Sequence, residues 1–360
     1  AVGTRHENMQ HNGAAHMVEH MLFKGTKTRN AQQIVEMIER VGGNMNAYTS
    51  REVTSYHIHL TAEHTGLALD VLTDMYQNSI LPDDEIERER QVILQEIGMC
   101  HDTPDDLVFD NYYETAYTGQ AMGAPILGTA DIISAMEAQA LKSHIEQYYT
   151  PSRTVISAAG AVQHDALVAQ VEAMLVNLPE NQDISHNVAA YAPSENRLKK
   201  DLEQAHFILG FESPSRADDN YFAAQALSTI LGGGMSSRLF QEVREKRGLV
   251  YSIFSFLSAY SDTGQFGIYA GTGTDKLAEI MPVICDEVLK ATQTITDEEI
   301  ARAKAQLKSC MLMARESMMT RADQQAKNLI VKNEALDIEK RIADIDGLHK
   351  DAVQAMAQQI

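Results

Sequence analysis

Apolar positions in this chain fall into recurring patterns of helical and strand spacing. The stretch around His16–His20 reads as an apolar helix, and Leu67–Ser79 and Lys276–Thr292 read as amphipathic ones. Each amphipathic helix is followed by a helix start rich in acids: Leu81-Pro82-Asp83-Asp84-Glu85-Ile86, then Ile295-Thr296-Asp297-Glu298-Glu299-Ile300. The first of these opens a Glu- and Arg-rich helix over Asp84–Met99. Ile38-Glu39-Arg40-Val41-Gly42-Gly43-Asn44-Met45-Asn46-Ala47-Tyr48 parallels Val243-Arg244-Glu245-Lys246-Arg247-Gly248-Leu249-Val250-Tyr251. Both read as a helix end, a glycine stop, and a β-branched or aromatic strand. Gln204–Gly210 reads as a further strand and Tyr221–Leu231 as a helix.

This weak internal repeat predicts an α+β protein of two similar units, each an antiparallel-rich sheet with helices packed on one face. Residues 1–180 form the first unit, the polar, turn-prone stretch 181–197 is a linker, and residues 198–360 form the second.

Composition narrows the function classes. The 360 residues are 44% apolar and 22% charged, a soluble globular composition without an apolar run of membrane-spanning length. Thirty basic against fifty acidic residues give a net charge of −20, which argues against a nucleic-acid partner and suits a cationic one. Cys100, Cys285 and Cys310 make no disulfide framework. Ala1–His6 reads like a strand end entering a loop, so preceding sequence is expected and the compartment is not legible. A cytoplasmic place is favoured over a periplasmic or mitochondrial-matrix one.

The chemistry concentrates in His16-Met17-Val18-Glu19-His20. Histidines at i and i+4 share a helix face, the spacing that pinches one tetrahedral metal. Glu19 stands beside them, where a carboxylate can take a proton from a water that the metal polarises. The order H-x-x-E-H is that of the inverted zincins. A catalytic zinc takes three protein ligands and keeps one position open. Glu85, Glu87, Glu89 and Glu96 on the following long helix are all candidates for the third. The repeat offers a control: from residue 201 onward the only histidines are His206 and His349, neither in Tyr221–Leu231. The metal-binding pattern is confined to the first unit.

Gly13-Ala14-Ala15-His16-Met17-Val18-Glu19-His20-Met21-Leu22-Phe23-Lys24-Gly25-Thr26 resembles the active-site helix of the pitrilysin and mitochondrial processing peptidase family. The resemblance continues through Gly42–Glu52, Glu87–Ile97 and Leu231–Phe240, in one order along nearly the whole chain. It implies half of a clam-shell peptidase chamber and one Zn2+ per chain, held by His16, His20 and Glu96. Glu89, two helical turns before Glu96, becomes the supporting carboxylate and Glu19 the catalytic base. Arg244 and Tyr251 match a pair that the family brings to the zinc to stabilise an oxyanion.

The implied activity is that of a zinc metalloendopeptidase cleaving peptides or presequence-like segments bound as an added strand. The receiving strand is Asn44–Thr49, with Asn46, Ala47 and Thr49 nearest the scissile bond. Asp106 and Asp110 match acidic positions that take an arginine of the substrate; the start of a helix at Thr103–Asp106 competes for Asp106. A chamber of four units implies a homodimer or a heterodimer with a related subunit. The alternative is a non-catalytic scaffold or partner subunit of the same family, which would have lost the ligands. Gly232-Gly233-Gly234 lacks the spacing of a phosphate loop, Cys100 reads as an incidental thiol, and His57 and His59 flank the site.

Overall fold

The structure, a computed structural model, describes residues 1–184 and 188–360; residues 185–187, inside the predicted linker, lie outside the described residues. In chain order its first half holds α1 (Ala14–Met21), α2 (Ala31–Glu39), β1 (Asn44–Thr49), β2 (Thr54–His59), α3 (Thr65–Asn78) and α4 (Asp83–Asp102). There follow α5 (Pro104–Ala116), α6 (Ala130–Ala135), α7 (Ala138–Tyr148) and α8 (His164–Met174). The second half holds β3 (Gln204–Ser213), α9 (Tyr221–Gly232), β4 (Ser252–Ala259), β5 (Gly264–Gly273) and α10 (Leu277–Thr294). It ends with α11 (Asp297–Ala314), α12 (Met318–Lys332), α13 (Ile338–Asp346) and α14 (Lys350–Gln359). Among the described residues no helix is long and apolar enough to cross a membrane.

The chain is α+β and divides into two compact units. The first takes Ala1–Asp102, Gly119–Asn187 and Met318–Ile330; the second takes Thr103–Thr118, Val188–Ser317 and Val331–Ile360. Helix α5 therefore groups with the second unit although it follows α4 directly. Most of α12 groups with the first.

In the first unit β1 and β2 form an antiparallel pair, in register from Asn44 opposite His59 to Thr49 opposite Thr54. Helix α1 packs on both strands and against α4 and α7. Its apolar side chains Met17, Val18 and Met21 join Ile34, Ile93 and Leu141 in one core. Helix α4 carries Ile86, Ile93 and Ile97 on its buried face. On its outer face Arg88 pairs with Asp84 and Glu85, while the half-buried Arg90 pairs with Glu87 and donates to the Ser134 and Met136 carbonyls.

In the second unit the strand order is β3-β5-β4, all antiparallel, with β5 central and buried. Helix α9 packs on β4 and is flanked by α11 and α14. Helix α11 starts at the acid-rich opening read from the sequence, with a capping box between Thr296 and Glu299. Helix α5 covers the other sheet face, with Phe109 stacked on Tyr269 at 5.9 Å between ring centroids.

The predicted strand through Val250–Tyr251 begins later than expected, at Ser252. Gly248, at φ 60°, reverses the chain, and the Leu249 amide donates back to Val243 O at 3.0 Å. The Thr272 hydroxyl takes up the Leu249 carbonyl at 2.7 Å. These local bonds engage Leu249 before the ladder starts.

Candidate metal centre

Helix α1 is only eight residues long, and the Gly13 that opens it has no side chain with which to cap it. Propensity alone does not hold so short a helix, so packing and outside partners must. Its two imidazoles face each other edge-on, ring centroids 4.6 Å apart. From α4, Glu96 brings Oε2 to 3.7 Å from His16 Nε2 and 3.8 Å from His20 Nε2. The three donors lie within 4.8 Å of one another, a group that can hold a metal ion.

These distances fit zinc. Tetrahedral bonds of about 2.0–2.1 Å to nitrogen and oxygen put donors about 3.4 Å apart, a few tenths of an ångström inside the two distances from Glu96 to the imidazoles. Glu96 Oε2 is also buried without a hydrogen-bond partner, which leaves its lone pairs open to a metal ion. The Glu96 side chain as a whole is 37% exposed, so the centre opens to one side.

The surrounding groups prepare the donors. His20 Nδ1 lies 2.8 Å from Glu89 Oε2, and Glu89 Oε1 lies 2.5 Å from Lys24 Nζ. Burial pushes the Glu89 carboxyl up, but its bonds to Lys24 and His20 win and hold it below the ordinary glutamate value. An ionised Glu89 makes Nδ1 of His20 the donor, so Nε2 keeps its lone pair for a metal. Burial, and then the neighbouring His20, lower His16 to about 4, which keeps that imidazole neutral as a ligand must be.

Glu19 is buried beside the centre, and the Thr49 hydroxyl donates to its Oε2 at 2.6 Å. Burial raises its carboxyl against the pull of that bond. Strand β1 thus touches the catalytic candidate through Thr49. On the same strand, the Ala47 amide donates to Asn46 Oδ1 at 2.8 Å.

Arg244 and Tyr251 come together in the second unit. Arg244 sits in a π-helix, Phe240–Glu245, with its guanidinium 4.8 Å from the Phe240 ring and 5.7 Å from the Tyr251 ring. Tyr251 is 78% exposed, its phenol presented to solvent. Asp106 lies in the first turn of α5 and Asp110 one turn on, so both belong to the second unit. Thr103 makes no side-chain cap there; Pro104 and the acids Asp105 and Asp106 occupy the helix start.

Two partners escaped sequence reasoning: Lys24 behind Glu89, and Thr49 as the hydrogen-bond donor to Glu19. Lys24 lies past the end of α1, where helical spacing does not fix its direction. His57 is half-buried on β2, and the Cys100 thiol is half-buried on α4.

Comparison with known proteins gives the chain's family. Residues 1–130 match the family described as Insulinase (Peptidase family M16), and residues 135–307 match the Peptidase M16 inactive domain. An uncharacterized zinc protease of Rickettsia felis is 39% identical over 100% of this chain and 87% of its own length. The crystal structure of a protease from Helicobacter pylori superposes with a TM-score of 0.92 at 25% identity, over 99% of this chain and 89% of that one. A chain of complex III from Candida albicans shares the fold, with a TM-score of 0.88 at 21% identity, over 99% of this chain and 85% of that one. The chain belongs to the M16 peptidase family.

Proposed function

We propose that this protein is a zinc-dependent metalloendopeptidase that cleaves peptides held as an added strand along β1. The observation that carries this reading is the convergence of His16 Nε2, His20 Nε2 and the unpartnered Glu96 Oε2 beside a buried Glu19. His16, His20 and Glu96 would hold the ion. Zinc, when bound, supplies Lewis-acid polarisation of a water and of the peptide carbonyl.

The remaining steps belong to the protein. Thr49 holds one oxygen of Glu19, and the other takes a proton from the attacking water. Because burial raises this carboxyl, the same group can carry the proton to the departing amine. Asn46, Ala47 and Thr49 are assigned to the substrate backbone near the scissile bond. Arg244 and Tyr251 are assigned as donors to the developing oxyanion, and Asp106 and Asp110 as acceptors for a basic residue of the peptide. Pairing of two chains, identical or related, is proposed to complete a closed chamber.

A scaffold role has two supports, the shared fold of a respiratory-complex chain and the word inactive in the name of the second matching domain. That domain spans residues 135–307, and His16, Glu19, His20 and Glu96 all precede it. An intact donor set favours the enzyme. Purified protein is expected to carry one zinc per chain, to lose peptide cleavage with a chelator, and to regain it with zinc. Protein that binds no zinc, or that cleaves equally well in chelator, overturns the reading.

A further inference from the structure

Glu7 lies in none of the groups assigned so far, yet it is a buried carboxylate, 7% exposed, at the start of the helix that carries both histidines. Its Oε1 accepts from the Ala15 amide at 2.6 Å and its Oε2 from the Gly13 amide at 2.8 Å. Asn12 Nδ2 donates to the same Oε2 at 3.0 Å. The first amides of any helix lack partners within it, and the two oxygens of Glu7 accept from the Gly13 and Ala15 amides. An ordinary cap would come from the residue just before the helix. Here that residue is Gly13, at φ 94°, and a Cβ on it would meet Leu127 O at 2.8 Å. The cap is supplied instead from six residues upstream.

The segment that carries Glu7 is itself tied to the end of β1. The Thr4 amide donates to Ser50 O at 3.2 Å and the Arg5 amide to Arg51 O at 3.0 Å, while Arg5 pairs with Glu52 at 2.6 Å. Asn12 reaches the opposite way, donating to Pro125 O at 3.0 Å. A continuous bonded path therefore runs from Ser50 and Arg51, next to the Thr49 that holds Glu19, through Glu7 to Ala15, next to His16.

We propose that Glu7 is a positioning residue for the metal centre, clamping the first turn of α1 onto the segment bonded to the end of β1 so that His16 and His20 stand at ligand distance from Glu96. This rests on the zinc reading above. Glutamine at this position accepts with only one of its two head atoms and turns an N–H toward amides that are themselves donors. The turn then shifts, and a ligand set held to tenths of an ångström shifts with it.

The test measures Zn2+ affinity by competition with a chromophoric chelator, and the visible spectrum of the Co2+-loaded full chain, for wild type and Glu7→Gln. Asp74→Asn, which loosens the Arg29–Thr26–Thr28 cluster elsewhere in the first unit, is the control for general destabilisation. Glu7→Gln is expected to weaken zinc about tenfold or more and to alter the Co2+ bands. Asp74→Asn is expected to lower the thermal midpoint while leaving affinity and spectrum at wild-type values. A folded Glu7→Gln with wild-type affinity and spectrum overturns the proposal. If that variant does not fold, Asn12→Ala, which removes one of the three donors, is expected to weaken zinc a few-fold, and wild-type affinity there overturns the proposal equally. Wild-type protein that takes neither Zn2+ nor Co2+ removes the zinc reading itself, a different result from binding that ignores Glu7.

Discussion

Helices α1 and α9 occupy matching places in the two units. Each lies on a strand of its unit, against an acid-opening helix (α4 or α11) and a later one (α7 or α14). Helix α9 is a packing element: Ala223, Ala224 and Ala226 allow close approach, and its one buried polar side chain, Ser228, meets the Ser255 hydroxyl at 3.1 Å. Helix α1 is four residues shorter and buries His16 and Glu19, leaving His16 Nδ1 without a hydrogen-bond partner. An orphaned buried polar atom costs about 1–3 kcal/mol. The same packing position thus accepts either an inert helix or a ligand-bearing one, provided outside groups such as Glu7, Thr49 and Glu89 hold the latter in place.

The largest expected contrast between the two helices is in metal binding. His20→Ala removes a ligand and is expected to abolish both zinc retention and cleavage. Ser228→Ala on α9 is expected to leave both intact and to cost about 1 kcal/mol of stability. Metal analysis and thermal unfolding of the two variants check this, and zinc retained by His20→Ala would break the contrast.

Acid sensitivity is the next largest effect. His144 on α7, beside α1, is fully buried with Nε2 unpartnered, and burial lowers its pKa to about 3. The unfolded chain protonates this histidine near pH 6.5 and the folded chain does not. Its stability contribution is therefore whole above about pH 6.5 and falls by about 1.4 kcal/mol per pH unit as the pH drops toward 3. Glu7, raised by burial to about 7, contributes with the opposite sign, so denaturant unfolding between pH 4 and 6.5 should differ in slope between wild type and His144→Leu by this amount; equal slopes would exclude a His144 contribution.

The smallest effect belongs to the second unit. Asp110→Asn is expected to weaken cleavage several-fold only for peptides with arginine near the cut. Equal losses on all peptides would reject a basic-residue contact.

Much of the first unit is legible in the sequence because its chemistry is local. Two histidines four apart on an apolar helix need no tertiary knowledge to share a face. The third ligand is different, since Glu85, Glu87, Glu89 and Glu96 look alike to any rule of spacing. The structure separates them by what they touch: Glu85 and Glu87 face arginines of their own helix, Glu89 faces Lys24 and His20, and Glu96 faces both imidazoles. The placement of α5 and α12 is not legible, because an amphipathic pattern states that a face is buried and not which sheet buries it. Glu7 is hidden for a related reason. A loop carboxylate that caps a helix six residues away obeys none of the fixed offsets of ordinary capping.

The most direct measurement is single-turnover cleavage by Glu19→Gln, on protein shown to hold one zinc per chain. With the ligands intact and only the proton acceptor removed, the rate should fall by at least about a hundredfold. A zinc-loaded Glu19→Gln that cleaves at the wild-type rate would contradict the assignment of Glu19 as the base.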